Sequence, residues 1–425
     1  MERFFGLLGI IFMLLVAFAM SNNRKAINYK TVGVGLLLQF FLAVFVLKVP
    51  LGKVIFANIG LFIQKILEFA QQGANFVFGP LTGCPIKMIE IFGPKAHIFA
   101  LQLIPALIFM MILVNILYYY GIMQRVIAVL GKAMNKLMDV SGAEALSNVA
   151  SSFVGQIVAQ IMIKPYLPNL TRSEVLASMT GSMACISGGV MAIYVAIGIP
   201  AQYMLAACIM AAPGALVISK IIYPETGEPQ TKNEFKIRKR RTDVNVLDAI
   251  AKGASEGMKV GLNVIAMIIA LVALIAMIDW FLGKFGLGLH NIFHINLSFI
   301  GIDLEHLSMK MILGKIFSVF AFLMGVPFDQ SSQIGSLLGT KFILNETLAY
   351  FDLVSIRNMI SEKSFVIAVF ALCGFANISS VAIQIAGIGE LAPNQRKNLA
   401  RVGIKALIGG TLASYISACM AGMLL

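Results

Sequence analysis

Between Phe370 and Gly389 the chain reads F-A-L-C-G-F-A-N-I-S-S-V-A-I-Q-I-A-G-I-G, apolar enough to lie in a bilayer yet interrupted by Asn377, Ser379, Ser380 and Gln384. At membrane depth no water satisfies amides and hydroxyls, so such residues need internal partners or a cavity. Gly374 and Gly387 weaken the helix and let the backbone open locally. A plain lipid-facing helix is therefore excluded, and the stretch is expected to line a binding site near the midplane. A second stretch, Met179 to Gly198, has the same character: A-C-I-S-G from 184 lies over A-N-I-S-S from 376, and both stretches end in I-G. Matching polar or glycine breaks in two halves of a membrane chain mark a secondary transporter built from repeats, with its site at their interface. Chance similarity between two Gly/Ala-rich membrane helices is the competing reading.

Composition supports a membrane protein. With 59% hydrophobic and 12% charged residues and a mean hydropathy of +0.88, the chain does not have the make-up of a soluble globular protein. Its net charge of +13 could suggest nucleic acid. The basic residues, however, lie in loops between apolar runs and form no aromatic-interleaved patch, a pattern of membrane topology; no nucleic-acid partner is expected. The five cysteines are scattered without a C-x-x-C spacing, and His290 and His294 have no third ligand nearby. Neither a disulfide framework nor a metal site is indicated, and no cofactor is expected.

In chain order, residues 4–20 and 33–48 read as two spans, and 54–78, where apolar and polar residues alternate at helical spacing, as an interfacial helix and not a span. With an irregular link marked by Pro80, Pro85 and Pro94, these make an N-terminal scaffold, 1–97. A first repeat, 98–222, contains spans at 98–120, 173–198 and 201–222 and a segment, 142–170, too polar for lipid and too apolar for a loop; it fits a re-entrant hairpin with Gly155-Gln156 near its tip. A basic linker, 223–258, carries Arg238 to Arg241 and is placed in the cytoplasm by the positive-inside rule. The second repeat, 259–425, has a span at 259–278, an external loop at 279–306, a broken hairpin at 311–350, the interrupted stretch, and a last span at 404–425. With both hairpins entering and leaving on one side, the loops 24–30, 121–136, 164–172, 232–241 and 394–405 all fall inside, and each carries Lys or Arg.

Glu346, in L-N-E-T-L-A-Y, is a carboxylate in an apolar membrane segment, which marks a functional position unless it pairs with a lysine such as Lys341 or caps a half-helix. A carboxylate accepts two parallel hydrogen bonds, and a vicinal diol supplies them without adding charge. Asn377 and Ser380, at i and i+3, share a helical face. The three together read as a sugar site.

These residues, with F-V-G-Q at 153, P-E-T at 224, G-V-P at 325, N-E-x-x-A-Y at 345, A-L-C-G-F-A-N-I-S-S at 371 and G-I-K-A at 403, resemble the concentrative nucleoside transporters, in particular their bacterial members. The resemblance runs from Ser21 to the C-terminus. It implies an all-α integral membrane protein of eight transmembrane helices, two re-entrant helical hairpins and interfacial helices arranged as inverted repeats. It also implies a homotrimer in the bacterial cytoplasmic (inner) membrane, surrounded by lipid, with one pathway per protomer. By resemblance the ribose-binding residues are Glu346, Asn377 and Ser380, with Phe375 near the sugar, while Gln156 and Val190 face the base. The hairpin tip departs from the family's G-Q-[ST]-E: here Gly155, Gln156, Ile157 and Val158 follow one another, so Val158 stands where relatives carry a carboxylate. The sodium ligands of relatives fall on the side chains of Ser151 and Cys185 and the carbonyls of Val154 and Ile186. A thiol is a poor ligand for a hard cation, so a proton is the expected coupling ion in preference to sodium, with Glu346 or Asp329 as its carrier.

The function expected is import of nucleosides by ion symport. A passive facilitator is the alternative, separated from it by accumulation under an imposed gradient. An intramembrane enzyme is not expected, since the chain contains no H-E-x-x-H and no serine beside a sequence-evident base.

Overall fold

The structure, a computed structural model, describes residues 2–83, 98–232, 243–293, 304 and 307–425. The Arg238 to Arg241 run, Pro85, Pro94 and His294 lie outside the described residues.

Every described regular element is a helix. The N-terminal part contains α1 (Glu2–Ala19), α2 (Tyr29–Leu47) and α3 (Pro50–Phe78). The first repeat follows as α4 (Phe99–Tyr119), α5 (Ile122–Met138), the short pair α6 (Gly142–Val154) and α7 (Val158–Met162), the pair α8 (Arg172–Ala184) and α9 (Gly188–Ala196), and α10 (Ala201–Ile222). The second repeats this order: α11 (Val246–Phe293), α12 (Met309–Leu323), the pair α13 (Phe328–Ile343) and α14 (Glu346–Ser355), the pair α15 (Glu362–Leu372) and α16 (Ile378–Leu391), and α17 (Arg396–Leu424). Equivalent helices of the two repeats pack on each other, α4 along α11 and α10 against α17, as a two-fold relation between repeats requires. Among the described residues six helices are long and apolar enough to cross a membrane, or up to eight when each of two bent pairs is taken as one span.

Boundaries differ from the sequence reading in four places. The segment 54–78 lies in α3, which starts four residues earlier at Pro50 and, at 29 residues, passes by length and composition as a membrane-crossing helix as well as an interfacial one. Its only oppositely charged neighbours, Lys65 and Glu68, pair at 2.6 Å on the exposed face. The linker shortens because α11 starts at Val246 and continues to Phe293, past both ends of the apolar window 259–278 and into the expected loop. Lys252, Glu256 and Lys259 are good helix formers, so hydropathy located the apolar window and not the helix. Where one hairpin was expected from 311 to 350, three helices stand: α12 turns by 117° into α13, and α13 breaks at Leu344 and Asn345 into α14, which runs on to Ser355. Finally, Ser187 and Asn377 both cap the second half-helix of their pair, and Cys185 and Cys373 both close the first. The structural register thus sets Asn377 against Ser187, where the motif alignment set it against Cys185, because the second break is longer.

The two broken helices cross at their breaks. Gly374 has φ +145°, and a Cβ there would lie 2.7 Å from the carbonyl oxygen of Ala184. The Phe375 N–H donates to Cys185 O at 3.4 Å. Ser414 of α17 serves both breaks, its hydroxyl lying 3.0 Å from Cys373 O and 3.4 Å from Ala184 O. Cys185 O and Cys373 O, carbonyls at the two breaks, thus find donors inside the protein, as burial at membrane depth favours. The amphipathic helix α5 lies at 75° to α4; it buries Ile127, Gly131, Met134 and Met138 and exposes Arg125, Lys132 and Lys136, the pattern of a helix lying along an interface.

Candidate functional site

Each of the four short pairs restarts as a new helix, and equivalent positions of the two repeats can be compared there. Val158 is the first residue of α7 and Glu346 the first of α14. Val190 and Ser380 both stand three residues after their caps, Ser187 and Asn377. The caps are made by side chains: Asn345 Oδ1 accepts from the Leu348 N–H at 3.0 Å and Asn377 Oδ1 from the Ser380 N–H at 2.9 Å, which satisfies amide groups left open at a helix start. The second repeat thus places a carboxylate and a hydroxyl where the first places two valines. Equivalent positions are therefore polar in one repeat and apolar in the other.

Glu346 is buried and held from both repeats. Tyr194, on α9, donates its hydroxyl to Oε1 at 3.0 Å, and Asn377 donates Nδ2 to Oε2 at 3.1 Å. Thr347 Oγ1 lies 2.9 Å from the Tyr194 hydroxyl and steadies it. The Thr347 hydroxyl also lies 3.5 Å from Oε1; an ionised carboxylate has about four acceptor directions, so Oε2, which accepts only from Asn377, keeps one for a ligand. The position at the start of α14 adds the favourable end of the helix dipole to a negative charge. Lys341 does not pair with Glu346. Although fully buried, its ammonium donates to Ala371 O at 2.8 Å, in the last turn of α15, and ties the hairpin to the broken helix.

On the first-repeat side, Gln156 is half-buried at the break between α6 and α7, and its Oε1 accepts from Gln384 Nε2 at 3.2 Å. Gln384 is fully buried on α16, seven residues beyond Asn377. A Cβ at Gly387 would lie 2.5 Å from Ile157 Cδ1, so the hairpin tip rests on α16. Val158 is exposed, and Val190 and Phe375 are partly buried against the core.

The residues matched to ion ligands flank the two breaks of the first repeat. Ser151 Oγ donates to Ser147 O at 2.7 Å and lies 2.9 Å from Ser182 Oγ. Gln160 continues this network, donating to Ser182 Oγ at 2.9 Å and accepting from Ser178 Oγ at 2.6 Å. Cys185 turns its thiol back onto its own helix, to Gly181 O at 3.0 Å, and Cys208 Sγ approaches Ile186 O at 3.7 Å. Val154 ends α6, half-buried. Asp329 is exposed in the first turn of α13.

Tyr194, Thr347 and Ser182 escaped the sequence reading. The signal for Tyr194 was present, a hydroxyl in the otherwise apolar M-A-I-Y-V-A of α9; which carboxylate it meets is decided 152 residues away. Among the described residues no group of three or more His, Cys, Asp or Glu side chains is arranged to hold a metal.

Family models match three parts of the chain: "Na+ dependent nucleoside transporter C-terminus" over residues 203–422, its N-terminal counterpart over 8–81, and "Nucleoside recognition" over 100–201. The chain is 40% identical to an uncharacterized transporter, YutK, of Bacillus subtilis (strain 168), over 100% of both proteins. It is 36% identical to the nucleoside permease NupC of Helicobacter pylori, over 99% of this chain and 97% of that protein. The solved structure of CNTnw in an inward-facing substrate-bound state superposes with a TM-score of 0.91 at 37% identity, covering 100% of this chain and 98% of that one. The chain is a multi-pass protein of the bacterial inner membrane and belongs to the concentrative nucleoside transporters, which carry nucleosides by ion symport and are not enzymes.

Proposed function

We propose that Glu346, Asn377 and Ser380 bind the ribose of an imported nucleoside, with Phe375 beside the sugar, and that Gln156, Val158 and Val190 receive the base. The observation that carries this is the placement of Glu346 between Tyr194 of one repeat and Asn377 of the other, with an acceptor direction left on Oε2. A ribose hydroxyl completes it. Binding of uridine, inosine, uracil and 2′,3′-dideoxyuridine to the purified protein tests the reading. Nucleosides should bind, and the base alone or the dideoxy compound should compete poorly.

Coupling to one positive charge moving down 100 mV supplies about 2.3 kcal/mol, enough for roughly fifty-fold accumulation. The side chains of this chain favour a proton: Ser151 is short, its hydroxyl is engaged with Ser147 and Ser182, and the Cys185 thiol is a soft donor turned into its helix. The sodium in the names of the matched family models favours sodium, and the Ser182 hydroxyl beside Ser151 is an oxygen that could join the carbonyls of Val154 and Ile186 around it. Uptake into proteoliposomes under an inward pH gradient, with choline in place of sodium, separates the two. Uptake under choline supports the proton; no uptake until millimolar sodium is added supports sodium. Equilibration without accumulation under either gradient would make the protein a passive facilitator. The resemblance supports a homotrimer, which light scattering of the detergent-solubilised protein checks.

A further inference from the structure

We infer that Gln384 sets base specificity by orienting Gln156. Its donor turns the Gln156 amide so that only N–H groups face the base, selecting nucleosides whose base presents a carbonyl oxygen over those that present an amino group. The inference rests on the reading of Gln156 as base-facing.

The orientation follows from a main-chain group. Gln384 Nε2 lies 3.5 Å from Met179 O and 3.2 Å from Gln156 Oε1. A backbone carbonyl can only accept, so the atom that Gln384 turns toward Met179 is its nitrogen. The same nitrogen faces Gln156, which must therefore answer with its oxygen. Turning the Gln384 amide over would set two carbonyl oxygens against each other. The protein keeps this arrangement although it leaves the buried Gln384 Oε1 without a partner, a costly state for a buried acceptor. Gln156 has one carbonyl oxygen and one NH2 group. With the oxygen engaged, Nε2 remains, and among the described residues it donates to no protein group while Gln156 is only half-buried.

Two further features agree. Val158, next to Gln156 at the tip, brings no acceptor that could receive an amino group from the base. Along α16, Asn377 and Gln384 are seven residues apart, about 10 Å at the helical rise, comparable with the reach from the ribose hydroxyls of a nucleoside to the far edge of its base. A ribose held by Asn377 and Glu346 thus brings that edge to the Gln384 and Gln156 pair. A donor-only tip fits the carbonyl at position 4 of uracil or position 6 of hypoxanthine and guanine, and leaves the amino group at the same position of cytosine and adenine facing N–H groups.

Equilibrium competition binding on the full-length protein tests this, with uridine against cytidine and inosine against adenosine. The wild type should prefer the carbonyl base in both pairs, on the order of tenfold. Gln384→Glu, when ionised, offers only acceptors, turns the Gln156 amide over and should bring both ratios to unity or invert them at high pH, while its protonated form still donates and keeps the wild-type ratios at low pH. Gln384→Leu removes the orienting bond and should bring them toward unity, which keeps the test open if the charged variant fails to fold. In both variants the penalty for removing the ribose hydroxyls should stay at the wild-type value, as damage to the site as a whole would not allow. Equal wild-type affinity for the members of each pair overturns the inference, as do wild-type ratios at high pH in the Gln384 variants alongside ratios abolished by Gln156→Ala. Wild-type ratios that survive Gln156→Ala overturn the base-facing reading itself.

Discussion

Asn377 donates to Glu346 across 3.1 Å while its own Oδ1 caps α16 through the Ser380 N–H, so one amide both starts a half-helix and orients the carboxylate that starts another. The two breaks in the second repeat are thereby coupled. A change at either residue should be felt first in ligand binding.

Glu346→Gln retains the shape but loses the charge, and its amide nitrogen would face donors on one side. Binding should weaken by about 1.5 to 3 kcal/mol, roughly ten- to a hundredfold. Calorimetry on the solubilised protein measures it, with size-exclusion chromatography to establish that the variant is intact. Near-normal uptake at wild-type surface levels would remove Glu346 from the site.

Tyr194→Phe deletes the Tyr194 donor to Glu346 and leaves Thr347 Oγ1 only its 3.5 Å contact with the same carboxylate. Affinity should fall by less than in Glu346→Gln, about tenfold or under. Asn377 still holds the other oxygen, so the ranking among bases should not change. A shift in that ranking would mean that Tyr194 contacts the ligand directly.

Lys341→Met keeps the length of the side chain and removes its bond to Ala371 O. A buried carbonyl left unpaired costs about 1 to 3 kcal/mol, and the thermal unfolding midpoint in detergent should fall accordingly. An unchanged midpoint would place the importance of this buried cation elsewhere than in joining α13 to α15.

Gly374→Ala should lower the yield of folded protein sharply. The residue has φ +145°, and the added Cβ would meet Ala184 O at 2.7 Å, backbone against backbone, with no flexible side chain to give way. Wild-type yield and thermal stability would show that the two breaks can separate without loss.

Val158→Glu with Ile157→Thr gives the first repeat a carboxylate at the position that Glu346 occupies in the second. An acceptor at the hairpin tip should raise the affinity for cytidine and adenosine relative to uridine and inosine, measured by the same competition assay. An unchanged ranking would mean that the tip does not touch the base.

What the sequence determined by itself was the class of protein, its repeated plan and the polar residues that stand at its helix breaks. Hydropathy forces the spans. Polar residues inside apolar stretches, as at Asn377, Ser380 and Glu346, have few physical outcomes at membrane depth, which is why a one-dimensional pattern could find them. Helix limits were less legible: α11 extends beyond its apolar window at both ends because helix propensity and membrane hydropathy are different properties. Only the tertiary structure decided the partners. Tyr194 reaches Glu346 across 152 residues of chain and Gln384 reaches Gln156 across 228, and Lys341 turns to a carbonyl and not to the carboxylate five positions on. Hydrogen bonds depend on direction and on which atom of an amide faces which neighbour. Composition and spacing carry neither, so the pairing of Gln384 with Gln156 emerges only when the two repeats are packed together.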